Sequence, residues 1–374
     1  MRFGDYQTDL ARQVRHWQLA THRLRDFDLV ASKNAWQSLE HYLGVSLRQA
    51  LDASVERVSR MAERLMMRVS GAADEQSLAA ARDELIALRQ AYLRVETSVE
   101  FYADALATRS MPKLAPFLRA CDHLATRSMA EILVPLGRQV PAVLSYTDGG
   151  IGASILRAGL RLWDGTTDNP VAAIKIVRHA LFYRPTSLLH EAGHQVAHML
   201  DWNTQFAQAL AQEIAPRDRH VAEICAGWAS EITADVFAFA HAGYAAVVAL
   251  HDVLEGPSDG VFRFLPGDPH PIAYLRMLLN IAMAQRSFGD GPWDRMRTSW
   301  LAHHPITAAP SGIRQFVEAS VRVLPVIVDL ALHARYRAFG DRPFVALINP
   351  ARVAPAALEQ LAREAGVAMY TSPY

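Results

Sequence analysis

The 374-residue sequence predicts an α+β protein in which helix predominates over a small sheet. Apolar residues recur every three or four positions through much of the first 135 residues, which is the spacing of one helix face. Between Gly137 and residue 179, β-compatible segments alternate with turn signals rich in Gly, Asp and Pro. From Ser187 onward, apolar residues again recur at the spacing of a helix. We therefore expect a helical region at 1–135, a core at 136–300 and a mostly helical C-terminal region at 301–374.

The N-terminal region contains two long apolar stripes at helical spacing. Ser46 and Gln49 fit a capping box before the first stripe, and Gly71 ends it. The stripes consist of Leu47, Leu51, Val55, Val58, Ala62, Leu65 and Val69, and of Leu78, Ala81, Leu85, Leu88, Tyr92, Val95, Val99, Tyr102 and Leu106. Because only SGAAD separates them, we predict an antiparallel helical hairpin. Either both stripes form the core of one bundle, or residues 46–106 bind a helical protein partner.

The composition argues against several classes of function. The 38 basic and 38 acidic residues balance, which gives no indication of binding to nucleic acid or to a membrane surface. Cys121 and Cys225 are too few for a disulfide framework or a Cys-rich zinc module. No apolar stretch has the length of a membrane span, and the N-terminus lacks the apolar core of a signal peptide. We therefore expect a soluble, cytoplasmic protein.

The middle of the chain carries the predicted sheet. Three segments have β-compatible composition: PAVLSY, ILRAGLRLW and VAAIKIVRH. Turn signals at 147–150 and 163–170 separate them. We expect them to form a small antiparallel sheet.

The helix predicted after the sheet contains the residues of a metal site. His190, Glu191 and His194 form the pattern HExxH. Residues four apart lie on one face of a helix, so both imidazoles can aim at one point, and zinc accepts imidazole nitrogen as a ligand. Glu191 is rotated by about 100° from His190, so it can lie beside the metal without ligating it. There it can take a proton from a metal-bound water.

Two other residues of this helix have different predicted roles. Gly193 lowers helix stability by roughly 1 kcal/mol relative to Ala, so it indicates that another backbone passes close by. His198 lies two turns from His190, which is too far to join the same ion. We interpret His198 as a packing or supporting residue and not as a ligand.

A second predicted helix, residues 219–243, supplies two acidic side chains. Glu231 and Asp235 are four residues apart on an otherwise apolar helix. Buried carboxylates are costly unless they are paired or bound to metal. The face that they share also carries small residues: Gly227, Ser230, Ala234 and Ala238. These would let the second helix approach Gly193 on the first.

HExxH followed by ExxxD on a later helix resembles the gluzincin metallopeptidases, of which thermolysin is the familiar case. The resemblance covers roughly residues 171–280 and implies a zincin-like core. It implies that Zn²⁺ is held by His190, His194 and Glu231. It also implies that Asp235 accepts a hydrogen bond from the non-ligating nitrogen of His190.

The same family pairs extended substrate with an edge strand just before the HExxH helix. The resemblance therefore suggests that residues 171–179 bind peptide by strand addition, with an ordinary structural hairpin as the alternative. The chain departs from the membrane-associated members in having no predicted transmembrane segment.

A third element, GDPHPIAYLR, contains His270 and, six residues on, Arg276. It is similar to the His-Pro…Arg element of gluzincins of the CAAX-protease and heat-shock-protease type. The resemblance implies that His270 donates to the oxyanion of the tetrahedral intermediate, with Tyr274 as an alternative donor. Arg276 would either order His270 or pair with Asp235 or Glu231.

The function predicted from these residues is that of a zinc metalloendopeptidase, a hydrolase acting on a peptide or protein substrate. Two alternatives remain. The chain could be a regulatory or interaction protein that keeps a structural or vestigial zinc site. It could also be a latent protease covered by its own N-terminal helices.

Overall fold

The structure is a computed structural model that describes residues 3–148, 153–159, 169–177 and 186–368. It is 74% helical, which confirms the prediction that helix predominates. The N-terminal helices are α1 (Phe3–Arg23), α2 (Lys33–Leu43), α3 (Leu47–Ser70), α4 (Glu75–Arg109) and α5 (Ala115–Leu133). Along the described residues, every helix is either too short or too polar to span a bilayer.

The helices that follow the sheet are shorter. They are α6 (Thr186–Met199), α7 (Trp202–Ile214), α8 (Arg219–Gly227), α9 (Ala229–Ala242), α10 (Tyr244–Leu254), α11 (Ser258–Val261), α12 (Ala273–Phe288), α13 (Pro292–His303), α14 (Ser311–His333) and α15 (Pro355–Ala365). The last helix ends before Gly366, whose φ of +50° is a conformation that favours glycine.

The chain divides into two compact units. Unit 1 comprises Met1–His123, Pro141–Gly149 and Leu156–Lys175. Unit 2 comprises Leu124–Val140, Gly150–Ile155 and Ile176–Tyr374. The division into functional regions at residues 135 and 300 stays a prediction.

Helices α1, α3 and α4 pack together in unit 1. Only Gly71–Asp74 connects α3 to α4, and Arg68 near the end of α3 pairs with Glu84 near the start of α4, as in the predicted hairpin. Every residue of the two predicted stripes is buried. The stripes therefore lie in the core of unit 1, and the predicted protein partner of residues 46–106 stays a prediction.

The predicted cap of α3 is wrong. The Ser46 side chain makes no capping hydrogen bond, because Glu40 at the end of the preceding helix accepts the Arg48 backbone N–H at 2.8 Å. A capping box occurs instead at the start of α4, between Asp74 and Ser77.

The predicted antiparallel sheet is wrong in its strand directions. Strands β1 (Ala142–Asp148), β2 (Ser154–Leu156) and β3 (Val171–Val177) form a mixed sheet in the order β1-β3-β2. Composition predicts strands but not which strands become neighbours, and here β1 lies beside β3 instead of beside the next strand in sequence. A separate antiparallel pair, β4 (Arg335–Tyr336) and β5 (Arg342–Pro343), lies near the C-terminus.

The sheet order also corrects the predicted edge strand. Strand β3 lies between β1 and β2, so residues 171–177 do not form the edge of the sheet. Residues 178–179 of that prediction, and most of the predicted turns at 147–150 and 163–170, lie outside the described residues.

The predicted single helix at 219–243 is two helices, α8 and α9, which meet at Trp228. This residue follows Gly227 and has φ −88° and ψ 0°, outside the regular helical range. The backbone N–H groups of Glu231 and Ile232 donate to the Trp228 carbonyl and start α9. Glu231 therefore lies in the first turn of α9, where the partial positive charge of a helix N-terminus favours a carboxylate.

Candidate metal centre

Three side chains of unit 2 converge on one point: His190 and His194 from α6, and Glu231 from α9. His190 Nε2 lies 3.3 Å from Glu231 Oε2, and His194 Nε2 lies 3.2 Å from Glu231 Oε1. All three donor atoms lie within 4.8 Å of one another. Ligand atoms about 2.1 Å from a tetrahedral ion are themselves roughly 3.4 Å apart, so these spacings suit a tetrahedral metal ion. The group could hold a metal ion.

The converging geometry depends on how closely α6 and α9 approach. A Cβ atom placed on Gly193 would lie 2.8 Å from Phe237 Cβ and 2.9 Å from Ala234 Cα. The predicted close approach at Gly193 is therefore confirmed, with Ala234 as the small residue that faces it. No side chain larger than hydrogen fits at position 193 unless one helix moves.

We expect Gly193→Ala to lower the free energy of unfolding by about 1–3 kcal/mol, because it overpacks a helix contact. It should also weaken metal retention, since α9 carries Glu231. Gly227→Ala is the matched control, because a Cβ at residue 227 meets nothing within 4 Å. Denaturant unfolding and metal content of both variants test this prediction, and equal behaviour of the two would contradict it.

A buried charge network supports His190. Asp235 Oδ1 lies 2.8 Å from His190 Nδ1, the nitrogen that faces away from Glu231. Arg276 binds Asp235 through two hydrogen bonds of 2.8 Å each and also lies 3.1 Å from Glu231. Asn280 donates to Asp235 at 3.1 Å. The network holds the His190 ring with Nε2 directed at the metal position.

This network sets the charges of the site. Burial disfavours the charged form of His190, but its hydrogen bonds to Asp235 and Glu231 outweigh burial and raise the pKa of His190 to about 10. Burial would raise the pKa of Glu231, but hydrogen bonds from both histidines and the Arg276 charge hold it well below its ordinary range. Because a ligating imidazole is neutral, a metal ion binding here displaces the His190 proton.

The Nδ1 atom of His194 contacts a neutral hydroxyl, whereas that of His190 contacts a carboxylate. The His194 Nδ1 lies 3.2 Å from Ser230 Oγ, and with a metal ion bound at Nε2 this nitrogen would carry the proton and donate to that oxygen. The amide of Asn203 lies 3.5 Å from the same oxygen, and Thr233 donates to Asn203 at 2.6 Å. The sequence indicated Ser230 only as a small residue for close packing, and its hydrogen bond to His194 was not predicted.

Glu191 is buried beside the triad. Its side chain faces the same cavity as His190 and Glu231. Among the described residues it forms neither a hydrogen bond nor an ion pair, although the residue is only 6% exposed. Burial raises the pKa of Glu191, and the neighbouring His190 and His194 oppose that rise. A buried, unpaired carboxylate of this kind is suited to accept a proton.

His270 lies at the exposed side of the site. Its Nε2 is 3.7 Å from Glu231 Oε1, and its side chain is 58% exposed. Asp268 holds it, because one carboxylate oxygen lies 2.7 Å from Nδ1 and accepts the His270 backbone N–H at 2.9 Å. Asp268, and not Arg276, therefore orders His270. Tyr274 is buried against Phe262, with ring centroids 4.6 Å apart.

The cavity at the triad has a volume of about 540 Å³. One part of its wall is polar and consists of His190, Glu191, Glu231, Asp235, His270 and Arg276. Much of the rest is apolar and comes from α10 and the segment after α11, including Leu250, Val253 and Leu265. The dimensions are those of an ordinary ligand-binding cleft.

The structure brings together all seven predicted site residues and leaves His198 outside the triad. Three supporting residues were missed: Ser230, Asp268 and Asn280. Asn280 lies four residues after Arg276, so helical spacing could have indicated that both face Asp235.

Comparisons with protein families, with curated proteins and with solved structures find no match to this chain.

Proposed function

We propose that this chain is a zinc-dependent metallopeptidase whose metal is held by His190, His194 and Glu231. One observation carries the proposal. Glu191 is a buried residue whose carboxylate lies on the wall of the cavity beside the ligand set, with no hydrogen-bond partner among the described residues. A structural metal site gains nothing from such a group, whereas hydrolysis requires a base at that place.

A bound zinc ion would supply Lewis acidity to a carbonyl oxygen and would lower the pKa of a water molecule. The chain's own residues handle the proton. Glu191 accepts the proton of the attacking water on its carboxylate and then gives it to the leaving amine nitrogen. The raised pKa of Glu191 suits both steps, because a pKa closer to neutral pH lets the carboxylate accept a proton and the carboxylic acid release it again.

Two further residues complete the proposed site. His270 directs Nε2 into the cavity while Asp268 fixes Nδ1, which suits the donation of a hydrogen bond to a developing oxyanion. Arg276 contacts Asp235 and Glu231, so we assign it a positioning role. It keeps two carboxylates ionised next to the ligand histidines.

The rival proposal in which the zinc site is structural predicts a fourth protein ligand. Within the described chain, only His190, His194 and Glu231 satisfy the distances of a metal-binding group. A set of three protein ligands is typical of catalytic zinc, whereas structural zinc has four. This donor set therefore favours the hydrolytic proposal. The choice of a peptide or protein as the substrate rests on the resemblance of the HExxH and ExxxD patterns to gluzincins.

The proposal is tested by looking for new chain ends in a mixture of denatured proteins incubated with the purified full-length chain. We expect new N-termini, their loss after treatment with a chelator, and their return when zinc is added back. Mass spectrometry of labelled N-termini gives the measurement. Cleavage that continues after the chelator has removed all metal would contradict the proposal.

A further inference from the structure

A second cavity lies between α3 and α4, entirely within unit 1, and contains no residue of the metal centre. Its volume is about 560 Å³. Its apolar part is formed by Val58, Met61, Ala87, Ala91 and Val95. Its remaining lining consists of Gln90 and four arginines, Arg57, Arg60, Arg64 and Arg94, and includes no carboxylate. We refer to this cavity as the arginine groove.

The arginine groove lies on a different side of the hairpin from α1. Trp17 of α1 packs on Tyr92 of α4, with ring centroids 5.0 Å apart. Ala91 is rotated by about 100° from Tyr92 around the α4 axis and lines the groove. The groove therefore lies on a face of the α3–α4 hairpin that α1 does not cover, and a further helix has room to pack there against the outside of the hairpin.

The charges of the groove favour an acidic occupant. Arg60 has an exposed contact with Glu56 at 3.4 Å, and Arg64 forms no ion pair within the described chain. Arginine binds carboxylates through paired hydrogen bonds, and such bonds strengthen where an apolar surface excludes water. Arg57 and Arg94 already have partners within the chain, so acidic side chains at the edges of a bound segment would meet Arg60 and Arg64.

The apolar surface favours a protein over a nucleic acid. Single-stranded nucleic acid binds through bases stacked on aromatic rings, and the groove lining contains no aromatic residue. Large apolar side chains also lie exposed on the same two helices, namely Met67, Ile86 and Leu93. Met67 follows Arg64 by three residues, and Leu93 follows Gln90 by three, so both continue the faces that line the groove.

We propose that the arginine groove binds an amphipathic helix of a partner protein, with its apolar face on the groove and acidic residues at its edges. This mode of binding places a helix in a preformed hydrophobic groove, and the charges select the partner. The inference is independent of the proposed peptidase activity, because none of its residues belongs to the metal centre.

The test is fluorescence anisotropy of the full-length chain with three labelled probes. One is a helical peptide with leucines on one face flanked by glutamates; the second replaces the glutamates by lysines; the third is single-stranded oligothymidine. We expect the acidic peptide to bind more tightly than the other two, with an affinity that falls as salt rises. No binding of the acidic peptide, or equal or tighter binding of either other probe, would overturn the proposal.

Three variants localise the binding. Arg64→Glu reverses an exposed charge, and Ala87→Trp fills the groove from an exposed position without changing charge. Each should weaken binding of the acidic peptide by about tenfold or more. Arg12→Glu, on the exposed face of α1, is the control and should bind as the wild type does. Circular dichroism shows that each variant is folded, and wild-type affinity in folded Arg64→Glu and Ala87→Trp would contradict the assignment.

Discussion

Glu191→Gln should abolish peptide hydrolysis while leaving the metal content unchanged. The amide keeps the size of the side chain but cannot accept the proton of the attacking water. Loss of a general base costs a factor of about 10²–10⁴ in rate. Glu191 is not among the three residues that could hold a metal ion, so a bound ion should stay in place. Initial rates on a cleaved peptide and metal analysis of the same preparation give the two measurements.

Glu223→Gln is the matched control for this substitution. Glu223 lies on α8, with a side chain that is 68% exposed and paired to Arg219 on the surface. Replacing this exposed carboxylate by an amide should change the rate of hydrolysis by less than twofold. If Glu191→Gln kept wild-type activity on a peptide that the wild type cleaves, the proposed role of Glu191 would be wrong.

Asp235→Ala should lower the free energy of unfolding of the metal-free protein by about 3 kcal/mol. Breaking a buried ion pair costs about 3–5 kcal/mol, and the lower value applies because Glu231 remains beside Arg276. His190 and Asn280 also lose the oxygens to which they donate. Urea denaturation in the presence of a chelator measures the difference.

The exposed pair of Arg286 and Asp329 provides the comparison. Both side chains are 53% exposed, and the bond between them is 2.8 Å long. Because solvent screens such a pair, Asp329→Ala should cost at most about 1 kcal/mol. A cost for Asp235→Ala no larger than this would show that the buried network contributes little.

The effect of Asp235→Ala should depend on pH. Burial would raise the pKa of Asp235, but the Arg276 charge and hydrogen bonds outweigh burial and hold it below its ordinary value. A carboxylate with a lowered pKa in the folded state contributes stability above its unfolded pKa and loses it as the pH falls. The difference between wild type and Asp235→Ala should therefore shrink below about pH 4. It should also shrink as the pH rises above about 6.5, because unfolded His190 loses its proton there while Asp235 helps to hold that proton in the folded chain.

The sequence predicts the two histidines of the candidate metal triad because a helix has a fixed period. His190 and His194 share a face by spacing alone, and Gly193 indicates a close contact by its cost to the helix. The position of Glu231 follows less directly, because it depends on two helices packing together. The break at Trp228 was not predicted, since a tryptophan within an apolar run carries no stop signal of its own.

The supporting residues and the sheet were harder to predict for different reasons. Ser230 and Asp268 act through contacts that only the folded chain brings about, and short polar residues next to Glu231 and His270 have many other roles. Strand order depends on which segments meet in space, so composition alone did not place β3 between β1 and β2. Asn280 could have been identified from its spacing to Arg276.

Metal analysis of the purified full-length chain tests the central claim most directly, with Glu231→Ala measured beside the wild type. Elemental analysis after extensive dialysis should find about one zinc ion per wild-type chain, as expected for a site with two His and one carboxylate. Glu231→Ala should retain far less zinc, because it removes one of three ligands that meet within 4.8 Å. Wild-type protein that binds no zinc, or Glu231→Ala protein that keeps it fully, would contradict the assignment of this site.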